Sequence, residues 1–197
     1  HCPYKSPTDM GVNMVGNCIV DDEAACFASR QEIIRRYYTA LDDQKKGKVA
    51  DEVVFKLELL MKKAGVRPEE RLVVAPALRR AAQTGAPAAA IELPDGKILT
   101  GKTSDLLGAS SALLLNALKE LAGIPKDLHL IATAVLDPIQ HLKVGHLGNR
   151  NPRLHTDETL IALSISAATN PTAELAMEQL DKLRGCEVHS TVLLSGV

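Results

Sequence analysis

Hydrophobic residues follow one spacing in the first third of the chain and another in the remainder. Apolar residues between Ala24 and Leu41 recur at helical spacing, after an acidic stretch at Asp21–Glu23 that suits the start of a helix. A second helical pattern runs from Val53 to Met61 and ends at Gly65. We therefore predict that residues 1–70 form a helical subdomain, entered through an N-terminal loop.

From Arg71 onwards, short apolar runs alternate with helical patterns, which is typical of an α/β domain. The fold class predicted for the chain is α/β, with a helical subdomain over residues 1–70 and a layered α/β subdomain over residues 71–197. The predicted strands are Leu72–Ala75, Ala89–Leu93, Lys97–Gly101, Leu128–Ile131 and Val188–Leu194. The predicted helices are Pro76–Gln83, Ser110–Ala122, Val135–Leu147 and two more that begin at Thr156 and at Asn170–Pro171.

Residues 96–103 carry every required letter of the phosphate-binding pattern G-x-x-x-x-G-K-[ST]. In a nucleotide hydrolase, Gly96 and Gly101 would shape the loop, Lys102 would contact the terminal phosphates and Thr103 would hold Mg²⁺. An apolar run before the motif and a helical pattern after it provide the context that such a loop needs.

The residues between the required letters favour a β-hairpin over a phosphate loop. Pro94–Gly96 is a turn sequence, because proline presets φ and glycine accepts positive φ. Ile98 and Thr100 are β-branched and suit an extended strand rather than a tightly curled loop. We therefore keep nucleotide binding as an alternative and predict a hairpin.

Composition excludes several classes of function. The 197 residues contain 23 Lys and Arg and 24 Asp and Glu, so no charge excess is available for nucleic acid. Tryptophan is absent and only three Tyr and two Phe occur, which leaves few surfaces on which bases could stack. No apolar run approaches the length of a membrane span. We expect neither nucleic acid nor a membrane as a partner.

Cysteine and histidine patterns give little support to metal or thiol chemistry. The four cysteines show no C-x-x-C motif, which predicts free thiols and a cytoplasmic location. His141 and His146 are five positions apart and would not share a face of an α-helix, so we predict no metal and no cofactor. Cys186 precedes His189 by three residues, and a buried structural cysteine is preferred over an activated nucleophile.

Polar segments outside these motifs are candidate sites for a small anionic ligand. The loop over residues 148–155 is rich in side-chain hydrogen-bond donors and has neither a helix nor a strand pattern. Two serines begin a predicted helix, whose N-terminus could also hold an anion. Two asparagines lie in the N-terminal loop. The candidate ligand-binding residues are Asn13, Asn17, Ser110, Ser111, Asn149, Arg150, Arg153 and His155.

A hairpin with an Asp-Gly turn, followed by a loop and a buried helix, resembles the opening of the cytidine-deaminase-like fold. Members of that family begin this helix with His-Ala-Glu or Cys-Ala-Glu and bind zinc, with a later Pro-Cys-x-x-Cys. The corresponding stretch here is Gly108–Ser110, and Pro-Cys-x-x-Cys is absent from the chain. The resemblance therefore implies the scaffold without zinc chemistry.

Five further segments resemble the bacterial family called domain of unknown function 1846, C-terminal region. They are Met10–Ile19, Arg30–Tyr38, Ala90–Gly96, Ala167–Ala173 and Leu183–Thr191. The resemblance implies a longer protein, in which this chain packs against an N-terminal region that is absent here. It brings no established activity, cofactor or catalytic residue.

Three functional hypotheses follow from the sequence. The leading one is a non-zinc, deaminase-like domain that binds a small ligand or assembles into a homo-oligomer. The second is a nucleotide hydrolase that uses residues 96–103. The third is an enzyme with a site at Cys186 or in the polar loop, completed by the missing region, so whether the chain is an enzyme stays open.

Overall fold

The structure is a computed structural model that describes residues 21–193. The chain divides into two compact units, residues 1–71 and residues 72–197. The described part of the first is helical, and the second combines helices with a small sheet. Among the described residues, no helix combines the length and the apolar character needed to cross a membrane.

The described part of the first unit contains two α-helices, α1 (Asp22–Lys45) and α2 (Asp51–Ala64). Asp21 caps α1, because its side chain accepts a hydrogen bond from the Ala24 amide at 2.8 Å. Gly65 ends α2 in the left-handed conformation, at φ 64°. Both helix boundaries predicted at these residues are confirmed. Ile33, Ile34, Met61 and Val66 form a buried hydrophobic cluster in this unit.

Arg30 and Glu70 link α1 to the short 3₁₀ turn Pro68–Glu70 within the first unit. The Arg30 Nε donates to Glu70 Oε2 at 3.0 Å. Burial tends to raise the pKa of Glu70, but hydrogen bonds from Arg30 and Arg67 outweigh it and lower that pKa.

The expectation of free thiols is wrong at Cys26, which is disulfide-bonded. Spacing along the chain does not reveal which thiols approach each other in space.

The second unit is built around a three-stranded antiparallel sheet in the order β2-β1-β3. Its strands are β1 (Ala88–Glu92), β2 (Ile98–Lys102) and β3 (Val188–Ser190). β1 and β2 form the predicted hairpin, in which Ala89 faces Gly101 and Ile91 faces Leu99. Its helices are α3 (Val74–Thr84), α4 (Ala109–Leu121), α5 (Thr133–His141), α6 (Thr156–Ala167) and α7 (Pro171–Met177).

Opposite faces of β1 pack against different helices. Ala89 and Ile91 belong to a cluster with Leu113 and Ala117 of α4. Ala90 packs with Ala77 of α3. Since successive strand residues point to opposite faces, the sheet lies between α3 and α4. This arrangement explains why β1 is almost entirely apolar, as strands covered on both faces are.

A second hydrophobic cluster joins α4 to the helices that follow it. Leu118 of α4, Leu136 of α5, Leu163 of α6 and Ala173 of α7 are buried in it. Asn170 caps α7 by accepting a hydrogen bond from the Thr172 amide at 3.0 Å. The helix boundary predicted at Asn170–Pro171 is therefore confirmed.

Two predicted strands are wrong. Leu72–Ala75 forms no strand, because α3 already begins at Val74 and includes Pro76, which the first turn of a helix tolerates. Leu128–Ile131 is irregular chain, although Leu130 and Ile131 are buried in the second cluster. A short apolar run signals burial, but it does not distinguish a strand from other buried chain.

The remaining elements differ from the prediction at their ends. The last strand is shorter than predicted and comprises Val188–Ser190, while Leu194 lies outside the described residues. The helix predicted over residues 135–147 consists of α5 followed by a π-type turn, Leu142–His146. That turn brings the rings of His141 and His146 edge to face, with centroids 5.2 Å apart. The prediction that they share no face is therefore wrong, because a π-turn aligns residues five apart.

Candidate ligand-binding site at the start of helices α4 and α6

A cavity of about 250 Å³ lies beside the first turns of α4 and α6. Four of the residues predicted to bind a ligand line it: Ser110 and Ser111, and, more than 40 positions further along the chain, Arg153 and His155. Further lining residues are Thr103, Gly108, Asn151, Thr156, Val192 and Leu193. Among the described residues that line the cavity there is no carboxylate, and Arg153 contributes a cation.

A short backbone pairing holds the starts of the two helices side by side. Leu107 and Leu154 form an isolated parallel bridge. The Leu154 amide donates to the Leu106 carbonyl at 2.9 Å, and the Gly108 amide donates to the Leu154 carbonyl at 3.1 Å. The Ser111 hydroxyl donates to the same Leu154 carbonyl at 2.9 Å. Ser111 is therefore occupied in fixing the two helices, while its neighbours remain at the cavity.

The first turn of α4 lacks a side-chain cap. Gly108 occupies the N-cap position with φ −67° and ψ 163°, and no side chain in the described part of the protein accepts a hydrogen bond from the first-turn amides there. The Ser110 hydroxyl oxygen is buried and has no hydrogen-bond partner within residues 21–193. Backbone amides in the first turn have no acceptor within the helix, and they carry the positive end of its dipole. The cavity therefore borders several unused hydrogen-bond donors.

Asparagine side chains shape the loop that carries Arg153. Asn149 accepts from the Asn151 amide at 3.0 Å, and Asn151 accepts from the Arg153 amide at 3.2 Å. The Arg153 Nε donates to the Ser104 carbonyl at 2.7 Å, which orients the guanidinium group. Arg150 and Asn149 are exposed and do not line the cavity. For Asn149 the structure shows ordinary turn chemistry, in which the side chain binds a nearby backbone amide.

A buried lysine that the sequence analysis missed supports this loop. The Lys143 ammonium donates to the Arg153 carbonyl at 2.8 Å and to Glu158 Oε2 at 2.7 Å, and its side chain is only 4% exposed. Glu158 Oε2 also accepts from the His155 amide at 2.7 Å. The spacing of His155 and Glu158 is that of a capping pair, which is a signal visible in the sequence. No such signal marks Lys143.

The stretch that matches the phosphate-binding pattern is a hairpin, as predicted. Gly96 lies in the turn with φ 81°, and Gly101 and Lys102 lie in β2. The Thr103 amide donates to the Pro87 carbonyl at 2.8 Å. Lys102 is exposed at the end of a strand instead of the start of a helix, so the backbone does not form the curled nest that a phosphate loop requires.

Other candidate residues lie elsewhere. Asn13 and Asn17 fall outside the described residues. Cys186 is a free cysteine whose thiol donates to the Lys182 carbonyl at 3.6 Å, and burial, assisted by the charge of Glu92, raises its pKa. Within residues 21–193, no group of three or more His, Cys, Asp or Glu side chains is placed to hold a metal ion.

Comparison with known proteins identifies the family of the chain. Residues 69–197 match the family model "Domain of unknown function DUF1846, C-terminal", and residues 1–65 match its N-terminal counterpart. The resemblance to the family's C-terminal region is thus matched by a model of its own from residue 69 onwards, while the first 65 residues match the model of the N-terminal domain. The boundary between the two matches falls between residues 65 and 69.

Curated relatives support the same assignment. A UPF0371 protein of Corynebacterium efficiens is 57% identical over 195 residues, which cover 99% of this chain and 39% of the relative. A UPF0371 protein of Streptococcus thermophilus is 57% identical over 193 residues, which cover 98% of this chain and 39% of that relative. The chain thus spans well under half the length of these bacterial relatives. On the family models and these identities together, the chain belongs to the DUF1846 family.

Proposed function

We propose that residues 72–193 form a ligand-binding domain that holds a small phosphate-bearing anion in the cavity at the starts of α4 and α6. The observation that carries this proposal is the uncapped first turn of α4, which borders the cavity together with Arg153. Helix N-termini bind anions because their free amides and the helix dipole both favour negative charge.

Three groups would share the anion. The first-turn amides of α4 would donate to its oxygens, and the Ser110 hydroxyl, which is buried and unpartnered, would gain an acceptor. The Arg153 guanidinium is oriented through Nε by the Ser104 carbonyl, so its terminal nitrogens remain for the ligand. His155 would close the opposite side from the start of α6.

Size and charge indicate which anion fits. A cavity of about 250 Å³ suits a compact ligand such as inorganic phosphate or a small phosphate monoester. The absence of a carboxylate among its described lining residues removes the repulsion that would exclude a dianion.

The position of the cavity also supports the deaminase-like scaffold. The hairpin β1–β2 leads into α4, and α3 and α4 cover opposite faces of the sheet. Gly108–Ser110, the stretch that the resemblance aligns with the zinc motif, begins α4 at this cavity. We infer that the cavity at the start of α4 occupies the place of the zinc site of the deaminase-like fold and binds its ligand without zinc. Assembly into a homo-oligomer stays a prediction.

A pair of substitutions at Gly108 tests the phosphate site. A Cβ at this position would meet only the Leu154 carbonyl oxygen at 3.6 Å and the Ser111 hydroxyl at 4.0 Å, which are ordinary contacts. Gly108→Asp and Gly108→Asn both supply a good N-cap, so each should leave stability within a few tenths of a kcal/mol or raise it. Only Gly108→Asp places a negative charge where the anion would bind.

Isothermal titration calorimetry measures the affinity of the unsubstituted chain and of both variants for inorganic phosphate and for ribose 5-phosphate. We expect the unsubstituted chain to bind at least one of them and Gly108→Asp to bind it at least about tenfold more weakly, the equivalent of about 1.4 kcal/mol. The affinity of Gly108→Asn for the same compound should lie between that of the unsubstituted chain and that of Gly108→Asp. If neither compound binds, or if Gly108→Asp binds as tightly as the unsubstituted chain, the proposed site is wrong.

A further inference from the structure

Two further cavities meet beside α4, and among the described residues neither shares a lining residue with the proposed phosphate site. The first has a volume of about 410 Å³ and a largely apolar lining. The second has a volume of about 330 Å³ and a polar lining. Asn116 and Lys119 line both, so each of these side chains stands at the boundary between an apolar space and a polar one.

Lys119 is a buried cation at this boundary. Its exposed fraction is 9%, and its ammonium donates to the Lys126 carbonyl at 3.0 Å. Burial lowers the pKa of Lys119, and the charge of Asp127 opposes this only in part. Within the described chain Lys119 forms no ion pair. A buried ammonium that has a single carbonyl acceptor has lost much of its hydration without gaining a counter-ion.

Arg80 presents a second unsatisfied cation to the polar cavity. Its Nε atom is buried and has no hydrogen-bond partner among the residues that the structure describes. Lys126 adds a further positive charge to the lining. The one carboxylate among the described lining residues is Glu120, which already pairs with Lys97. The polar cavity therefore has three cations and one engaged carboxylate on its walls, an arrangement that favours an anionic group.

The neighbouring apolar cavity would hold a hydrocarbon chain. Its lining includes Leu106, Leu107, Leu115, Leu130, Ile131 and Leu136. Its volume lies within the range of about 300–1,000 Å³ that is usual for small-molecule sites. A ligand that uses both cavities must combine an apolar body with an anionic head.

We propose that these two cavities form a second site, which binds an amphipathic carboxylate. The carboxylate would lie between Arg80 and Lys119, and the alkyl chain would occupy the apolar cavity. The carboxylate supplies a direct ion-pair partner, which neither cation has among the described residues, and the chain removes apolar surface from water. This site is independent of the proposed phosphate site, because the two share no lining residue.

A series of carboxylates separates the contributions of head and chain. Titration calorimetry with butanoate, hexanoate and octanoate should show affinity rising roughly threefold to fourfold for each added methylene, as expected when each is fully buried. Octan-1-ol has the chain without the charge and should bind at least tenfold more weakly than octanoate. If octanoate does not bind, or binds no more tightly than butanoate, the proposal is wrong.

Substitutions then locate the head group. Lys119→Met keeps the length of the side chain without its charge, and it should weaken octanoate binding at least tenfold while octan-1-ol binding is kept. Lys102→Met removes an exposed lysine that lines neither cavity and should leave octanoate affinity unchanged.

Arg80→Gln provides an independent variant if Lys119→Met lowers the melting temperature so far that binding cannot be compared. Like Lys119→Met, Arg80→Gln should weaken the binding of octanoate. Equal octanoate affinities for Arg80→Gln, Lys119→Met and the unsubstituted chain would overturn the site. Phosphate titration of the same variants should give unchanged affinities, so a failure here is distinct from a failure of the phosphate site.

Discussion

Gly101 of β2 lies directly beneath Leu113 of α4, without room for a side chain between the two backbones. A Cβ built on Gly101 would stand 2.6 Å from the Leu113 Cα and 2.8 Å from the Ala109 carbonyl oxygen, and closer still to the Leu113 amide nitrogen. Real Cβ atoms do not approach backbone atoms so closely. The glycine that completes the phosphate-binding pattern therefore serves the packing of a helix on a strand.

Gly101→Ala should destabilise the second unit by about 3 kcal/mol or more. The clashing atoms are backbone, so the helix and the strand must separate, and the cost lies at the upper end of that for overpacked cores. Lys102→Ala, at an exposed position in the same strand, should change the free energy of unfolding by less than about 0.5 kcal/mol. Urea unfolding of both variants measures the difference.

A free energy of unfolding for Gly101→Ala within 1 kcal/mol of the unsubstituted chain would contradict the close approach of α4 to β2. A nucleotide-binding loop predicts a different pattern, since Lys102→Ala would then abolish a melting shift produced by Mg²⁺-ATP. With Lys102 at the end of a strand, we expect no such shift in either protein.

Local turn chemistry explains why the hairpin was predictable. Asp95 accepts a hydrogen bond from the Lys97 amide at 3.0 Å, and the Gly96 amide donates to the Leu93 carbonyl at 2.8 Å. These contacts span at most three residues, so the residue types alone indicate them. The same applies to the caps at Asp21, Gly65 and Asn170.

Contacts between segments that lie far apart along the chain could not be predicted from the sequence. The bridge between Leu107 and Leu154 joins segments 47 positions apart and assembles the cavity, and no periodicity indicates which segments will pair. Ser110 and Arg153 were each identified as candidates, but their meeting at one cavity depends on that bridge. Lys143 was missed because a single lysine in a helical pattern has no signal that distinguishes burial from exposure.

Loss of the Glu158 charge should lower the free energy of unfolding more than loss of the Lys143 charge. Glu158→Gln leaves the Lys143 ammonium, 4% exposed, without a counter-ion, and we expect a loss of about 3 kcal/mol. Lys143→Met leaves the Glu158 carboxylate, which is 26% exposed and still accepts from the His155 amide, so the loss should be smaller, about 1–2 kcal/mol. Urea unfolding again provides the comparison.

The double variant Lys143→Met/Glu158→Gln is the control for this pair. Because it removes both charges together, it should be more stable than Glu158→Gln alone. If Glu158→Gln proves as stable as the unsubstituted chain, Lys143 does not depend on Glu158 and the support of the Arg153 loop must come from elsewhere.

The Cys186 thiol should react slowly, which separates a structural role from a nucleophilic one. Burial, and to a smaller extent the charge of Glu92, raises the pKa of this thiol above its ordinary value near 9. A raised pKa lowers the thiolate fraction at neutral pH, and the thiolate is the reacting species. Iodoacetamide at pH 7.5 should therefore modify Cys186 more slowly than it modifies glutathione, as measured by mass spectrometry of the peptide that contains Cys186.

Glu92→Gln tests the electrostatic part of this effect, because it removes a negative charge that opposes ionisation of the thiol. The substitution should increase the alkylation rate of Cys186 at pH 7.5 and move the midpoint of its pH–rate profile downward, still above neutrality because burial remains. If Cys186 were instead a catalytic nucleophile, the unsubstituted chain would be alkylated at Cys186 faster than glutathione, and the midpoint of its pH–rate profile would lie below pH 8. That result would restore the thiol hypothesis.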